Sequence, residues 1–188
     1  GVAACPKHFA ANSQELCRMS TDSVVDERTL QEIYLTNFEI AVKEGAPKTI
    51  MSSYNRVNGT YANENKELLL DTLRGQWGFD GFVMSDWGAS NDHVEGVRNG
   101  SALEMPAPGL DSAMNIVNAV RSGKLSEADV DARVEELLKV IDATYAPVAN
   151  APKVLDRDDY QRMAKRCAEE SIVLLENDGI LPLRAGSR

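Results

Sequence analysis

Asp86 is the residue whose type and setting best suit chemistry. It follows the apolar run Phe82-Val83-Met84-Ser85 and precedes Trp87-Gly88. A carboxylate at the end of a buried strand can act as a nucleophile or stabilise developing positive charge. The indole beside it offers an apolar face to a sugar ring. The plainer reading is that Asp86 caps the helix after the strand. Lys7-His8 forms a second cluster, suited to an oxygen-rich ligand. Its alternative is a surface lysine beside a packed histidine. Arg18 can bring a planar donor fork to the same ligand, or pair on the surface with Glu15. Tyr54 ends an apolar run, so its hydroxyl can reach a strand-end site or stay in the core. His93 is given no role, and Glu104 is expected at a barrel mouth or paired with a Lys or Arg.

Other chemistries find no support in the residue pattern. His8, His93 and the nearby acids lack a compact metal-ligand spacing, so no metal is expected. There is no G-x-S-x-G elbow. No glycine-rich phosphate loop follows a strand. The three cysteines, Cys5, Cys17 and Cys167, are an odd number without a C-x-x-C pair. That argues against a disulfide framework and leans toward a reducing, cytoplasmic location.

The elements that position these residues follow from periodicity. Val2–Cys5 is a short apolar run that reads as a strand. Asp26 caps a helix carrying Leu30, Ile33, Tyr34, Phe38, Ala41 and Val42, which Gly45 and Pro47 end. Thr49–Tyr54 reads as a strand followed by a turn at Asn58-Gly59, and Asn63 or Asn65 caps a helix with Leu68, Leu69, Leu70 and Leu73. Gly81–Asp86 is a third strand. A short helix over 92–98 closes at Asn99-Gly100, and Ala102–Pro106 is a fourth strand. A helix with Ala113, Ile116, Val117 and Val120 stops at Gly123. Ser126 opens another, whose buried face is expected to be Val130, Val134, Leu137, Leu138 and Ile141.

Strands alternating with helices predict a parallel sheet covered by helices. Lys7-His8, Tyr54-Asn55 and Asp86-Trp87 all fall just after strands, at the edge where such proteins build their sites. A doubly wound sheet and a barrel both fit. About four strand–helix units point to an α/β fold equal to the second half of a (β/α)8 TIM-type barrel, over 1–145. A Pro/Ala/Asn-rich linker over Ala146–Pro152 follows, with a linker-and-helix region taken as 146–170. A strand-like Ile172–Leu175 then opens a second α/β domain over 171–188.

The chain has 188 residues, 43% hydrophobic and 26% charged, with a net charge of −9. That composition suits a packed globular core. The acidic balance disfavours nucleic acid and anionic membrane surfaces as partners. No apolar run approaches the roughly 20 residues that span a bilayer. The start of the chain lacks the basic and apolar regions of a signal peptide.

Taken together, the motifs resemble glycoside hydrolase family three, its β-glucosidase branch above all. The resemblance rests on Lys7-His8-Phe9-Ala10, on Met51-Ser52-Ser53-Tyr54-Asn55 with Asn58-Gly59, on Gly78–Trp87, and on Ser171–Leu183 at the end. It implies a retaining β-glucosidase-like hydrolase without a cofactor, acting on a β-glucoside or related carbohydrate. Asp86 matches the family's nucleophile. Lys7, His8, Arg18, Tyr54 and Trp87 match its sugar-binding residues. The family's general acid comes from its second domain, and the Asp and Arg of its first barrel half have no counterpart here. Residues Ala10-Ala11-Asn12-Ser13 lack the histidine-containing loop of the N-acetylhexosaminidase branch. Xylosidases and arabinosidases share the motifs, so the sugar is left open. The rival expectation is a non-catalytic half-barrel whose open sheet edges take a second copy or the missing half.

Overall fold

The computed structural model describes residues 1–148 and 156–186, in two compact units that divide between Ala149 and Asn150. The first unit is built on a parallel sheet. Its strands are β2 (Thr49–Met51), β5 (Phe82–Met84) and β6 (Ser101–Leu103), with β5 in the centre. Ile50 pairs with Val83, and Val83 with Ser101. Both faces are covered, which is why the strand residues are a near-continuous apolar run.

The expected first strand at Val2–Cys5 does not form a regular ladder. The segment instead tracks β2 through scattered bonds. Thr49 Oγ1 donates to Ala4 O (3.0 Å), Met51 N to Pro6 O (3.1 Å) and Phe9 N to Met51 O (2.8 Å). Only Phe9 and Ser52 form a parallel bridge. Val2 is exposed, so the apolar pull that would hold a strand begins at Phe9. The fourth strand starts one residue early and ends at Leu103, two residues ahead of Met105-Pro106. Proline has no N–H to extend a ladder.

Helix α1 is continuous from Glu27–Thr29 through π-wound turns at Leu30–Leu35 into Thr36–Gly45. Asp26 caps it as expected: its carboxylate accepts from Thr29 N (3.0 Å) and Thr29 Oγ1 (2.7 Å). Ala46, in the left-handed region at φ 43°, turns the chain into β2. Helix α2 (Glu67–Gln76) is opened by Asn65, whose Oδ1 accepts from Leu68 N (3.1 Å). Phe9, Leu35, Phe38, Ile50, Leu69, Leu73, Trp77 and Val83 form the core between sheet and helices. Phe9 meets Phe38 edge-on at 5.1 Å and Trp77 at 5.8 Å.

A small second sheet interrupts the alternation of strands and helices. It orders β1 (Asp22–Ser23), β3 (Arg56–Val57) and β4 (Thr60–Tyr61). Asn58 and Gly59 both take positive φ, the requirement of a tight hairpin turn. The Asn58 side chain also bonds both backbone groups of Val25.

After β5 come α3 (His93–Asn99), α4 (Leu110–Arg121) and α5 (Glu127–Val148). Asp92 caps α3, and Gly100 at φ 114° ends it. The buried face expected on α5 is only partly covered. Val130 and Leu137 are half-buried, whereas Val134, Leu138 and Ile141 are exposed. Helix α5 is held instead by Val140, which is buried, and by ions. Glu136 accepts from Arg74 (2.8 and 3.1 Å) and from Arg133 (2.8 Å).

Of the linker expected at 146–152, residues 146–148 end α5 and the rest lie outside the described residues. The second unit contains α6 (Arg157–Ser171), capped by Asp156. The strand expected at Ile172–Leu175 is absent, and these residues are exposed. No neighbouring strand among the described residues offers them a ladder, and an unpaired strand has nothing to hold it.

Candidate active site

The site lies at the C-terminal ends of the parallel strands. Two residues beyond β5, Asp86 is only 7% exposed. Its Oδ1 accepts from the N–H of Trp87 at 2.7 Å. Its Oδ2 lies 3.3 Å from His8 Nε2. The Tyr54 hydroxyl donates to the same carboxylate. Burial pushes the Tyr54 hydroxyl above its ordinary pKa, and the Asp86 charge and that hydrogen bond push it further. Tyr54 therefore remains a donor at neutral pH. Three groups, from the ends of β2 and β5 and from the irregular segment before Phe9, thus converge on one carboxylate. Asp86 is not a helix cap: that role falls to Asp92, which accepts from the Val94 and Glu95 N–H groups at 3.0 Å each.

Local sequence explains the convergence. Ser53 Oγ and Asn55 Nδ2 both donate to Ala10 O (2.9 and 3.2 Å). Those bonds fasten the stretch after His8 to the end of β2, which carries Tyr54. Ser85 Oγ accepts from Met105 N (2.8 Å), and Gly88 N donates to Met105 O (3.0 Å). Gly88 takes φ 79°, a turn that a side chain would resist. This turn leaves the Trp87 ring 49% exposed beside the buried carboxylate.

The other expected contacts are distributed differently. Arg18 lies over the Tyr54 ring at 5.0 Å and pairs with Glu15 at 2.5 Å, the contact its surface-pair reading expects. Lys7 is exposed and makes no hydrogen bond or ion pair among the described residues. Direct contacts to Asp86 therefore come from His8 and Tyr54, not from Lys7 or Arg18. Glu104, expected at a barrel mouth or paired with a Lys or Arg, pairs with His93 at 3.1 Å. No group of three or more His, Cys, Asp or Glu suited to a metal occurs among the described residues. No described helix is long and apolar enough to cross a membrane.

Sequence reasoning missed the polar residues behind the site. Asn63 Oδ1 accepts from Ser52 Oγ (2.8 Å) and Ser101 Oγ (2.9 Å), joining the ends of two strands. Glu64 Oε1 accepts from the N–H groups of Asn91 (2.6 Å) and Asp92 (2.8 Å). Burial raises the Glu64 carboxyl pKa, against the pull of those two donors. The one available signal was a run of five polar residues, Asn63-Glu64-Asn65-Lys66-Glu67, between apolar segments, and it reads equally well as a helix cap.

At the mouth of the parallel sheet, Asp86 thus sits among fixed donors and beside an open indole. Residues 1–140 match the glycosyl hydrolase family 3 N-terminal domain, and the chain belongs to that family. It is 49% identical over 187 residues to thermostable beta-glucosidase B of Acetivibrio thermocellus, covering 98% of this chain and 24% of that protein. It is 44% identical to an exo-alpha-(1->6)-L-arabinopyranosidase of Bifidobacterium longum, covering 99% and 24%. Among solved structures, beta-glucosidase 3B from Thermotoga neapolitana in complex with alpha-D-glucose superposes with a TM-score of 0.86 at 41% identity. That match covers 97% of this chain and 27% of the other. The chain spans about a quarter of the length of these curated relatives.

Proposed function

We propose that the chain forms the nucleophile-bearing part of a retaining β-glucosidase-like hydrolase. The observation that carries this reading is the Asp86 carboxylate, held at once by His8, Tyr54 and the Trp87 N–H. One Asp86 oxygen attacks the anomeric carbon as the glycosidic C–O bond breaks, and the leaving oxygen takes a proton from a general acid. The resulting glycosyl ester is hydrolysed by water, which restores the carboxylate. The oxocarbenium-like charge develops directly against Asp86. Trp87 supplies an apolar wall for the ring, and Lys7, His8 and Arg18 donate to its hydroxyls. On this reading 1–145 is the C-terminal half of the barrel, and the acid/base carboxyl, about 5 Å from Asp86, comes from sequence that this chain does not span. The relatives' names include both a glucosidase and an arabinopyranosidase, so the pyranose at the cleaved end is set by residues around this shared core.

The test is covalent trapping in the full-length protein. A 2-deoxy-2-fluoro β-glucosyl fluoride should add one glycosyl mass to the peptide containing Asp86, and Asp86→Gly should abolish turnover of an aryl β-glucoside. Labelling elsewhere, or near-normal turnover in a folded variant, removes Asp86 from the mechanism.

A second reading, a non-catalytic half-barrel that pairs with a copy of itself or with the missing half, is favoured by one observation. Val134, Leu138, Ile141 and Tyr145 form an exposed apolar stripe on α5, while β6 pairs on one side only. Size measurement of the 188-residue chain separates the two: a folded, active monomer contradicts the second.

A further inference from the structure

Asn63, Glu64 and Asn65 are consecutive, polar and buried, and each fastens a different part of the fold. Asn63 joins the ends of β2 and β6, and Asn65 opens α2. Glu64 reaches the far side of the site, to the loop that leaves Asp86. One carboxylate oxygen receives the N–H groups of both Asn91 and Asp92. The Glu64 backbone carbonyl receives Asn99 Nδ2 (2.8 Å), so both ends of α3 are tied to one residue. Gly96 of α3 packs against this stretch, where a Cβ would sit 3.4 Å from Asn63 Nδ2, in van der Waals contact.

We propose that Glu64 is a positioning residue for the reaction, clamping the 87–92 loop so that Asp86 and Trp87 keep their working geometry. The proposal rests on the reading of Asp86 as nucleophile. Its physical basis is the cost of the arrangement. A buried carboxylate is unfavourable unless its partners need it, and filling the space alone would suit an apolar residue. What the carboxylate supplies is an acceptor for two adjacent N–H groups that no backbone carbonyl reaches. Between Asp86 and Asn91 the loop's backbone N–H groups have three further anchors, Trp87 N to Asp86 Oδ1 (2.7 Å), Ala89 N to Asp86 O (3.0 Å) and Gly88 N to Met105 O. Without Glu64 the Asn91 and Asp92 N–H groups lose their acceptor, and the downstream half of the loop keeps only the side-chain bonds of Ser90 Oγ with His93 Nδ1 (3.2 Å) and of Asn91 Nδ2 to Ala89 O (3.1 Å); the charged groups beside it are Asp92 and His93, the latter paired with Glu104.

The experiment uses the full-length protein and three variants: E64L, which fills the space without an acceptor; E64D, which withdraws the acceptor by one methylene; and E64Q, which keeps a carbonyl oxygen in place. Amide hydrogen exchange at Asn91 and Asp92 is read beside kcat and KM on an aryl β-glucoside. E64L should speed exchange at those two amides at least tenfold and lower kcat about 100-fold, the scale of an ångström's misplacement. KM should move far less, and exchange across α5 should match the parent. E64D should show the same pattern at smaller size, and E64Q should restore kcat to within a few-fold. Faster exchange with parental kcat in E64D or E64L overturns the proposal, as does unchanged exchange at both amides in a folded E64L. If Asp86 fails to label in the parent protein, the nucleophile reading fails instead, and the exchange measurement still reports on the clamp.

Discussion

Replacing Glu136 by Leu should destabilise the first unit by about 3 kcal/mol, because it removes the anion between two cations. Glu136 accepts from Arg74 and Arg133, and all three side chains are 12–16% exposed. Arg74 also donates to Leu69 O (2.8 Å) and Gly100 O (3.1 Å), so the cluster links α5 to α2 and to the turn that feeds β6. Burial and the neighbouring Arg74 both disfavour the charge on Arg133, Glu136 opposes them, and Arg133 Nε is buried without a partner. Loss of Glu136 leaves two guanidinium groups facing one another with little water to screen them. Three kcal/mol is a little over two decades in the folding equilibrium at about 1.4 kcal/mol per decade. The double variant E136L/R133L removes the repulsion too and should recover about 1 kcal/mol of that loss, within the usual range of coupling energies. An internal control lies on the same helix. Lys139→Ala breaks the Glu135–Lys139 pair, whose side chains are more than 60% exposed, and should cost far less than E136L, as solvent-screened pairs do. Urea titration followed by the fluorescence of buried Trp77 reads all three. A cost for E136L no larger than that of Lys139→Ala, or a double variant worse than the single, would refute the argument.

Gly81→Ala should cost more than about 3 kcal/mol, beyond ordinary overpacking. A Cβ there would sit 2.1 Å from Lys48 O and 2.5 Å from Lys48 C, on backbone already held by Phe82 N at 3.2 Å. Gly45→Ala, with nothing within 4 Å, should be neutral or slightly stabilising in the same urea titrations. Tyr54→Phe deletes the hydroxyl donated to Asp86. A hydrogen bond to a charged group contributes about 1.5–3 kcal/mol, so kcat/KM on an aryl β-glucoside should fall roughly 10- to 150-fold. An unchanged value in the full-length protein would take Tyr54 out of the site.

Much of the arrangement was legible because it follows local rules. The apolar runs at Thr49–Tyr54 and Gly81–Asp86 announced parallel strands, and Asp26, Asn65 and Asp92 sit where side-chain acceptors satisfy free helix N–H groups. Asp86 stood out because a carboxylate between a buried strand and a Trp-Gly turn has few structural reasons to be there. What the residues alone did not reveal is which donors reach it. Lys7 and His8 are adjacent in sequence, yet only His8 contacts Asp86 while Lys7 is exposed. The β1–β3–β4 sheet was also missed: its two-residue strands are too short to show any period, and only the Asn58-Gly59 turn marks it.

Helix α5 shows what apolar periodicity does and does not record. Val130, Val134, Leu137, Leu138 and Ile141 recur at helical spacing, and a stripe of that kind exists to be covered. In this chain Val134, Leu138 and Ile141 face outward while Val140, outside the stripe, is buried. The Glu136 ion cluster explains how both can hold: it fixes the rotation of α5 by charge, so the helix does not roll its apolar stripe onto the sheet. Ile172–Leu175 makes the same point for a strand, since it carries the composition of a buried element and no ladder partner among the described residues. Periodicity therefore states what a segment requires beside it, whereas the ion cluster and the sheet edges determine which requirements are met within these 188 residues. Glu64 marks the opposite limit. It has no periodic signature, its partners lie more than 25 residues away in sequence, and its role is visible only once Asn91 and Asp92 are seen donating to it.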